Sequence, residues 1–148
     1  MKLTWYSPPY PKQSFYNFMA PFFAEKIWRH RFPYLINSPE KIWGVLKEND
    51  KTIGFSSYTV TKKGIELGEI YGLTEEIWVQ IALNTLKKID KEESAFYLYT
   101  DVKKENKYEW QFFQHKGFEI YRETTHYIFL KRNDEWKKKA CLNLRFPF

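Results

Sequence analysis

Between Arg31 and Ile42 the spacing of apolar residues changes, and that change decides which folds the chain can reach. From Lys12 to Arg31, the residues Phe15, Phe18, Met19, Phe22, Phe23, Ile27 and Trp28 recur at steps of three and four. That spacing puts them on one buried helix face. Pro21 lies inside the run, so a kink or two short helices are expected. Pro33 and Pro39 bracket a loop that holds Asn37 and Ser38. Beyond it the repeat drops to two. Residues 42–48 (IWGVLKE), a polar turn at Asn49, Asp50 and Lys51, and residues 52–61 (TIGFSSYTVT) read as a β-hairpin. Lys62, Lys63 and Gly64 then turn the chain into residues 65–71 (IELGEIY), so three antiparallel strands in series form a meander. Residues 2–6 (KLTWY) are aromatic and β-prone and are cut short by Pro8, Pro9 and Pro11, as an edge strand would be.

The second half alternates helix and strand. Thr74 is placed to cap a helix with Glu75 and Glu76 in its first turn, where the helix dipole favours negative charge. Trp78, Ile81, Ala82, Leu86 and Ile89 form its inner stripe up to about Asp90. The segment SAFYLYTDV is apolar or aromatic over residues 95–99, which predicts a strand covered on both faces. Next, Asn106 followed by Glu109 forms a capping-box variant, and Gly117 suits a left-handed helix stop. Tyr108, Phe112 and Phe113 are the inward-facing candidates of that helix. Residues 118–123 (FEIYRE) and 126–132 (HYIFLKR), joined at Thr124 and Thr125, read as two final strands.

At 148 residues the chain is one domain's worth, expected over 1–132. Residues 133–148 form a basic tail with an apolar end (Leu142, Leu144, Phe146, Phe148), expected to pack on the domain or on a second copy of the chain. Aromatic residues reach 20%, well above ordinary, so the rings belong either to a core or to a binding surface. The 24 lysines and arginines outnumber 18 acidic residues and favour an anionic partner. The lone Cys141 excludes an internal disulfide and suits a reducing, cytoplasmic setting. The N-terminal prolines break any signal-peptide core, and no run approaches the length of a membrane span. His30, His115 and His126 lack metal-ligand spacing, and no serine or cysteine stands in a nucleophile motif.

The order of elements, together with Asn106, Phe112, Phe113, Gly117 and Phe118 and the strands EIYRE and YIFLKR that follow, resembles the GCN5-related N-acetyltransferase (GNAT) family. The likeness in topology runs from residue 42 to residue 132, and the likeness in motif is concentrated in residues 95–132. It implies an α/β (α+β) fold: a mixed, mostly antiparallel central sheet of about six or seven strands flanked by helices. It also implies acyl transfer from acetyl-CoA or another acyl-CoA to the amine of a small molecule or protein. In that reading Glu69 is the general base, backbone groups at Ile70, Tyr71 and Gly72 hold the pantetheine arm, and Asn106 and Phe113 line the donor cleft.

Two family features are missing. None of the six glycines (44, 54, 64, 68, 72, 117) forms a phosphate-binding loop before the helix at Thr74. Glu75 and Glu76 stand there instead, and a like charge at about 5 Å costs roughly 1–3 kcal/mol. Phe113 also occupies the position at which the family usually carries a proton-donating tyrosine; Tyr97, Tyr99, Tyr108 and Tyr121 are candidate replacements. The alternative is a non-catalytic module of the same fold that engages protein or nucleic acid. Lys103, Lys104, Lys107 and Lys137–Lys139 would supply the charge. A nucleic-acid-modifying enzyme is a further variant, since the fold includes phage enzymes that act on DNA bases.

Overall fold

The computed structural model describes residues 3–32, 35, 37, 38, 40–92 and 97–133. The expected tail, with Lys137–Lys139 and Cys141, lies outside them, as do Pro33, Pro39 and Ser94–Phe96. The order is β1 (Thr4–Tyr6), α1 (Lys12–Ala24), α2 (Lys26–Arg31), β2 (Ile42–Glu48), β3 (Lys51–Val60), β4 (Ile65–Leu67), β5 (Tyr71–Gly72), α3 (Glu75–Glu92), β6 (Tyr97–Lys103), α4 (Lys107–His115), β7 (Glu119–Glu123) and β8 (Tyr127–Asn133). Helices and mostly antiparallel strands make this the expected α+β class, with eight strands among the described residues rather than six or seven because 65–71 is broken. The chain divides into two compact units, Met1–Val60 with Gly68–Glu93, and Thr61–Leu67 with Ser94–Phe148.

In the first unit β1, β2, β3 and β5 pair antiparallel in that order. The hairpin closes on Glu48 and Lys51 through Asn49 and Asp50, both at positive φ (51° and 62°). Asn and Asp tolerate that region better than other side chains, and such a turn matches the strand twist. One face of the sheet is covered by α1, with Phe15, Met19 and Phe22 buried against Trp43, Val45, Phe55 and Tyr71. The rings meet at tilted or edge-on angles, for example Phe22 to Phe55 at 5.1 Å and Phe15 to Trp43 at 5.9 Å. Much of the aromatic excess is therefore core.

Pro21 does not divide the helix. It sits inside α1, and the break comes at Glu25 (φ −73°, ψ 136°), whose N–H donates to the Pro21 carbonyl at 2.9 Å. Proline lacks the N–H that would bond the Asn17 carbonyl, but Asn17 and Pro21 are both exposed, where water is available. The break resets the phase of the repeat, and Ile27, expected on the buried face, is 74% exposed.

The opposite face of β3 receives α3. Trp78, Ile81, Ala82, Leu86 and Ile89 are buried as expected, and the helix runs on to Glu92. Gly54 makes the close approach possible, because a Cβ there would overlap Ile81. A polar pair lies within this contact: Thr85 Oγ1 donates to the Ile81 carbonyl at 2.7 Å, so the Ser56 hydroxyl, 2.7 Å away, donates to Thr85. Both side chains are fully buried.

In the second unit the order is β4-β6-β8-β7, with β4 and β6 parallel and the rest antiparallel. Strand β6 is not covered on both faces. Leu98, Thr100 and Val102 are buried, whereas Tyr97 and Asp101 are exposed, so it alternates like a strand with one open face. Of the three aromatics expected to point inward from α4, Phe113 is buried, Phe112 is half-buried and Tyr108 is 39% exposed. The side chain of Asn106 makes no capping bond; its carbonyl instead accepts from Glu109 and Trp110 at 3.1 and 3.4 Å. The stop at Gly117 forms as expected, at φ 90°. Gly117 N–H donates to Gln114 and Phe118 N–H to Phe113, and the Phe113 and Phe118 rings meet at 5.1 Å, which is the full Schellman arrangement.

Thr85→Val should destabilise the protein by about 1–3 kcal/mol, because it strands the Ser56 donor in the core. In denaturant melts the double variant Ser56→Ala/Thr85→Val should then cost less than the sum of the two single changes.

Candidate functional site

The fourth strand was expected to be continuous and is not. Its second part pairs with β3 through Phe55 with Tyr71 and Gly54 with Gly72, and Leu73 N–H donates to the Ile53 carbonyl at 2.8 Å. Further along, Gly68 N–H donates to the Ser57 carbonyl, also at 2.8 Å. Between these points β3 has one residue, Ser56, while the facing segment has two, Glu69 and Ile70. The extra residue is a β-bulge, a device that locally disrupts the ladder and re-aims side chains. Strand alternation stops at Leu67, so the direction of Glu69 is set by the bulge and not by the strand that carries Glu66.

Neighbouring atoms fix the bulge. Gly68 approaches Ser57 so closely that a Cβ would overlap the Ser57 hydroxyl as it now points. That hydroxyl is buried and has no hydrogen-bond partner among the described residues. On the other side the Trp78 indole N–H donates to the Ile70 carbonyl at 3.2 Å. Gly72 lies against the backbone of Trp78, where any Cβ would overlap it.

Glu69 is half-buried at the bulge. Burial pushes the Lys41 ammonium down from its ordinary value, and the Glu69 charge pulls it back up. Lys41 Nζ also lies 5.4 Å from the centre of the Trp43 ring. The Trp43 indole donates to Asn37 Oδ1 at 2.9 Å, and Asn37 Nδ2 donates to the Tyr16 hydroxyl at 2.8 Å. Tyr10 donates to the carbonyls of Ser38 and Lys41, with its pKa raised chiefly by burial and then by Tyr16. Tyr71 is buried with the Arg31 guanidinium 4.9 Å above its ring; burial raises its pKa and Arg31 opposes the shift. Sequence reasoning did not single out Lys41, Asn37, Tyr10 or Arg31, and no motif marks them.

The N-terminus of α3 is closed by its own residues. Thr74 Oγ1 accepts from Ile77 N–H at 3.2 Å and the Thr74 carbonyl from Trp78 N–H at 2.9 Å, the cap expected from the sequence. Glu75 and Glu76 are exposed beside it.

The remaining predicted site residues, Asn106 and Phe113, belong to the second unit. Asn106 is half-buried at the start of α4, and Phe113 is packed against Phe112 and Phe118 at 1% exposure. Among the described residues no three His, Cys, Asp or Glu side chains gather as a metal site, and no helix is long and apolar enough to cross a membrane.

No protein-family model matches the sequence, and no curated protein matches it at the sequence level. Solved structures do match. The N-acetyltransferase PseH of Campylobacter jejuni, in complex with acetyl coenzyme A, aligns over 89% of this chain and 97% of its own at 18% identity and a TM-score of 0.57. ElaA of Escherichia coli aligns over 88% and 99% at 15% identity and 0.61. The PaiA N-acetyltransferase of Thermoplasma acidophilum, in complex with coenzyme A, aligns over 78% and 74% at 15% identity and 0.54. The chain has the fold of the GCN5-related N-acetyltransferases.

Proposed function

We propose that the chain is a divergent N-acyltransferase that moves an acetyl or other acyl group from a CoA thioester to an amine. The observation that carries the reading is the bulge at Glu69 and Ile70. It interrupts the ladder on the strand to which the family resemblance assigns the pantetheine arm, and it leaves the buried Ser57 hydroxyl with hydrogen-bonding capacity to spare. Two of the solved structures that share the fold hold acetyl coenzyme A or coenzyme A, which supports the same donor here.

The residues fit the thioester end of such a donor and not the usual seat of its pyrophosphate. Backbone groups of Ile70, Tyr71 and Gly72 would position the thioester, which supplies an activated acyl carbon. Glu69 would take the proton from the attacking amine as the C–N bond forms and the C–S bond breaks. The departing thiolate needs a proton from elsewhere, because Phe113 has none to give. At the start of α3, Thr74 already occupies the Ile77 amide and Glu75 and Glu76 repel phosphate, so the pyrophosphate would lie off the helix end. The net charge of +6 favours an anionic donor overall. The acceptor would be an amine on a small molecule or a protein, and the setting cytoplasmic.

Glu69→Gln should lower the rate of acyl-CoA-dependent thiol release by about 10²–10⁴-fold while leaving the melting curve intact, and a rate equal to wild type would remove Glu69 as the base. Glu75→Gln/Glu76→Gln should tighten CoA binding by roughly fivefold or more, read by calorimetry. If wild type and variant both fail to bind any acyl-CoA, the proposed transfer fails and a non-catalytic module of this fold takes its place.

A further inference from the structure

The transfer proposed above lacks a proton donor for the departing thiolate, and three groups on the α1 side of the first unit's sheet are candidates: Tyr10, Tyr71 and Lys41. Burial separates them. It raises the pKa of the Tyr10 and Tyr71 phenols and so makes them weaker acids, whereas it lowers that of the Lys41 ammonium and makes it a stronger one. The Tyr10 proton is also engaged by the carbonyls of Ser38 and Lys41, and Tyr71 is 4% exposed with Arg31 over its ring. A thiol such as that of cysteine has a pKa of about 8.5 and an ordinary lysine about 10.4, so lowering the ammonium brings donor and thiolate toward a match.

The geometry suits Lys41 to this role. Its Nζ lies 5.4 Å from the centre of the Trp43 ring, which puts it on the sheet face where Trp43, Phe55 and Tyr71 pack. The backbone of Lys41 is held at both ends. Its N–H donates to the Ser38 carbonyl at 3.3 Å, and its carbonyl accepts from the Tyr10 hydroxyl. The side chain is half-buried, and the charge that acts on it is that of Glu69, two residues before Tyr71 on the bulge. The base assigned to the amine and this cation therefore stand within electrostatic reach of each other.

We propose that Lys41 is the general acid of the transfer, its ammonium giving a proton to the thiolate sulfur as the C–S bond breaks while Glu69 takes the proton that the amine loses on forming the C–N bond. A neutral Lys41 and a protonated Glu69 remain, and passage of one proton from Glu69 to Lys41 restores both. The inference rests on the proposed transfer with Glu69 as its base.

NMR titration of the full chain labelled at lysine Cε reads the donor directly. The resonance missing from Lys41→Arg should titrate below the other lysines, and it should fall further in Glu69→Gln, which removes the charge opposing the shift. In thiol-release assays with acetyl-CoA, Lys41→Met should lose about 10²-fold or more in rate with its melting curve unchanged. Lys41→Arg keeps the charge but releases no proton near neutral pH, so it should not recover that loss. Should Lys41→Met fail to fold, Lys41→Gln takes its place. Titration of Lys41 together with the other lysines, or recovery of the rate in Lys41→Arg, would overturn the assignment. Thiol release that Glu69→Gln slows and Lys41→Met leaves at the wild-type rate would overturn this assignment alone. No thiol release by wild type would overturn the transfer and this assignment with it.

Discussion

The Trp78 indole, donating to the Ile70 carbonyl, ties the start of α3 to the break in the fourth strand, and the candidate site depends on that tie. Trp78 does three things at once. Its side chain is buried, its amide takes part in the Thr74 cap, and its backbone fills the space that a Cβ on Gly72 would need. Carbonyls in a bulge lose their ladder partners, and a buried carbonyl without a partner costs about 1–3 kcal/mol. By satisfying Ile70, Trp78 makes an irregular backbone affordable at the point where the resemblance calls for one. Gly68 makes the complementary contribution by letting the chain come against Ser57.

Both units use a bulge to turn one residue out of an otherwise regular ladder. In the first, Glu69 is brought to a half-buried position beside Lys41. In the second, Tyr121 is brought onto the open face with Tyr99 and Phe129. Regular alternation would have sent the next residue to the opposite face in each case. The aromatic surplus is likewise divided. Phe15, Phe22, Trp43, Phe55 and Tyr71 are core, while Tyr97, Tyr108 and Tyr121 retain exposed ring surface.

Elements written in periodicity and caps were legible in the sequence. The 42–48 strand, the Asn49-Asp50 turn, the Thr74 cap and the Gly117 stop all follow from local chemistry, and local chemistry decides them. The break in 65–71 was not legible, because its causes are non-local. A ladder partner at Ser57 and an indole eight residues away at Trp78 interrupt a segment whose own composition reads as strand. The displaced helix break was hidden for a related reason, since tolerance of Pro21 depends on which side of α1 faces water. Lys41 acts on Glu69, Asn37 bonds Trp43 and Tyr10 bonds the Lys41 carbonyl, all through tertiary contacts, so no spacing pointed to them. On the second sheet Tyr99 and Tyr121 are legible as tyrosines, but the turn of Tyr121 toward Tyr99 depends on pairing register.

Amide hydrogen exchange with and without acetyl-CoA shows whether the bulged segment receives the acyl donor. Residues 69–72 should gain protection when the donor is present, beyond any protection spread evenly over the fold. Donor binding that leaves exchange at these residues unchanged would contradict it.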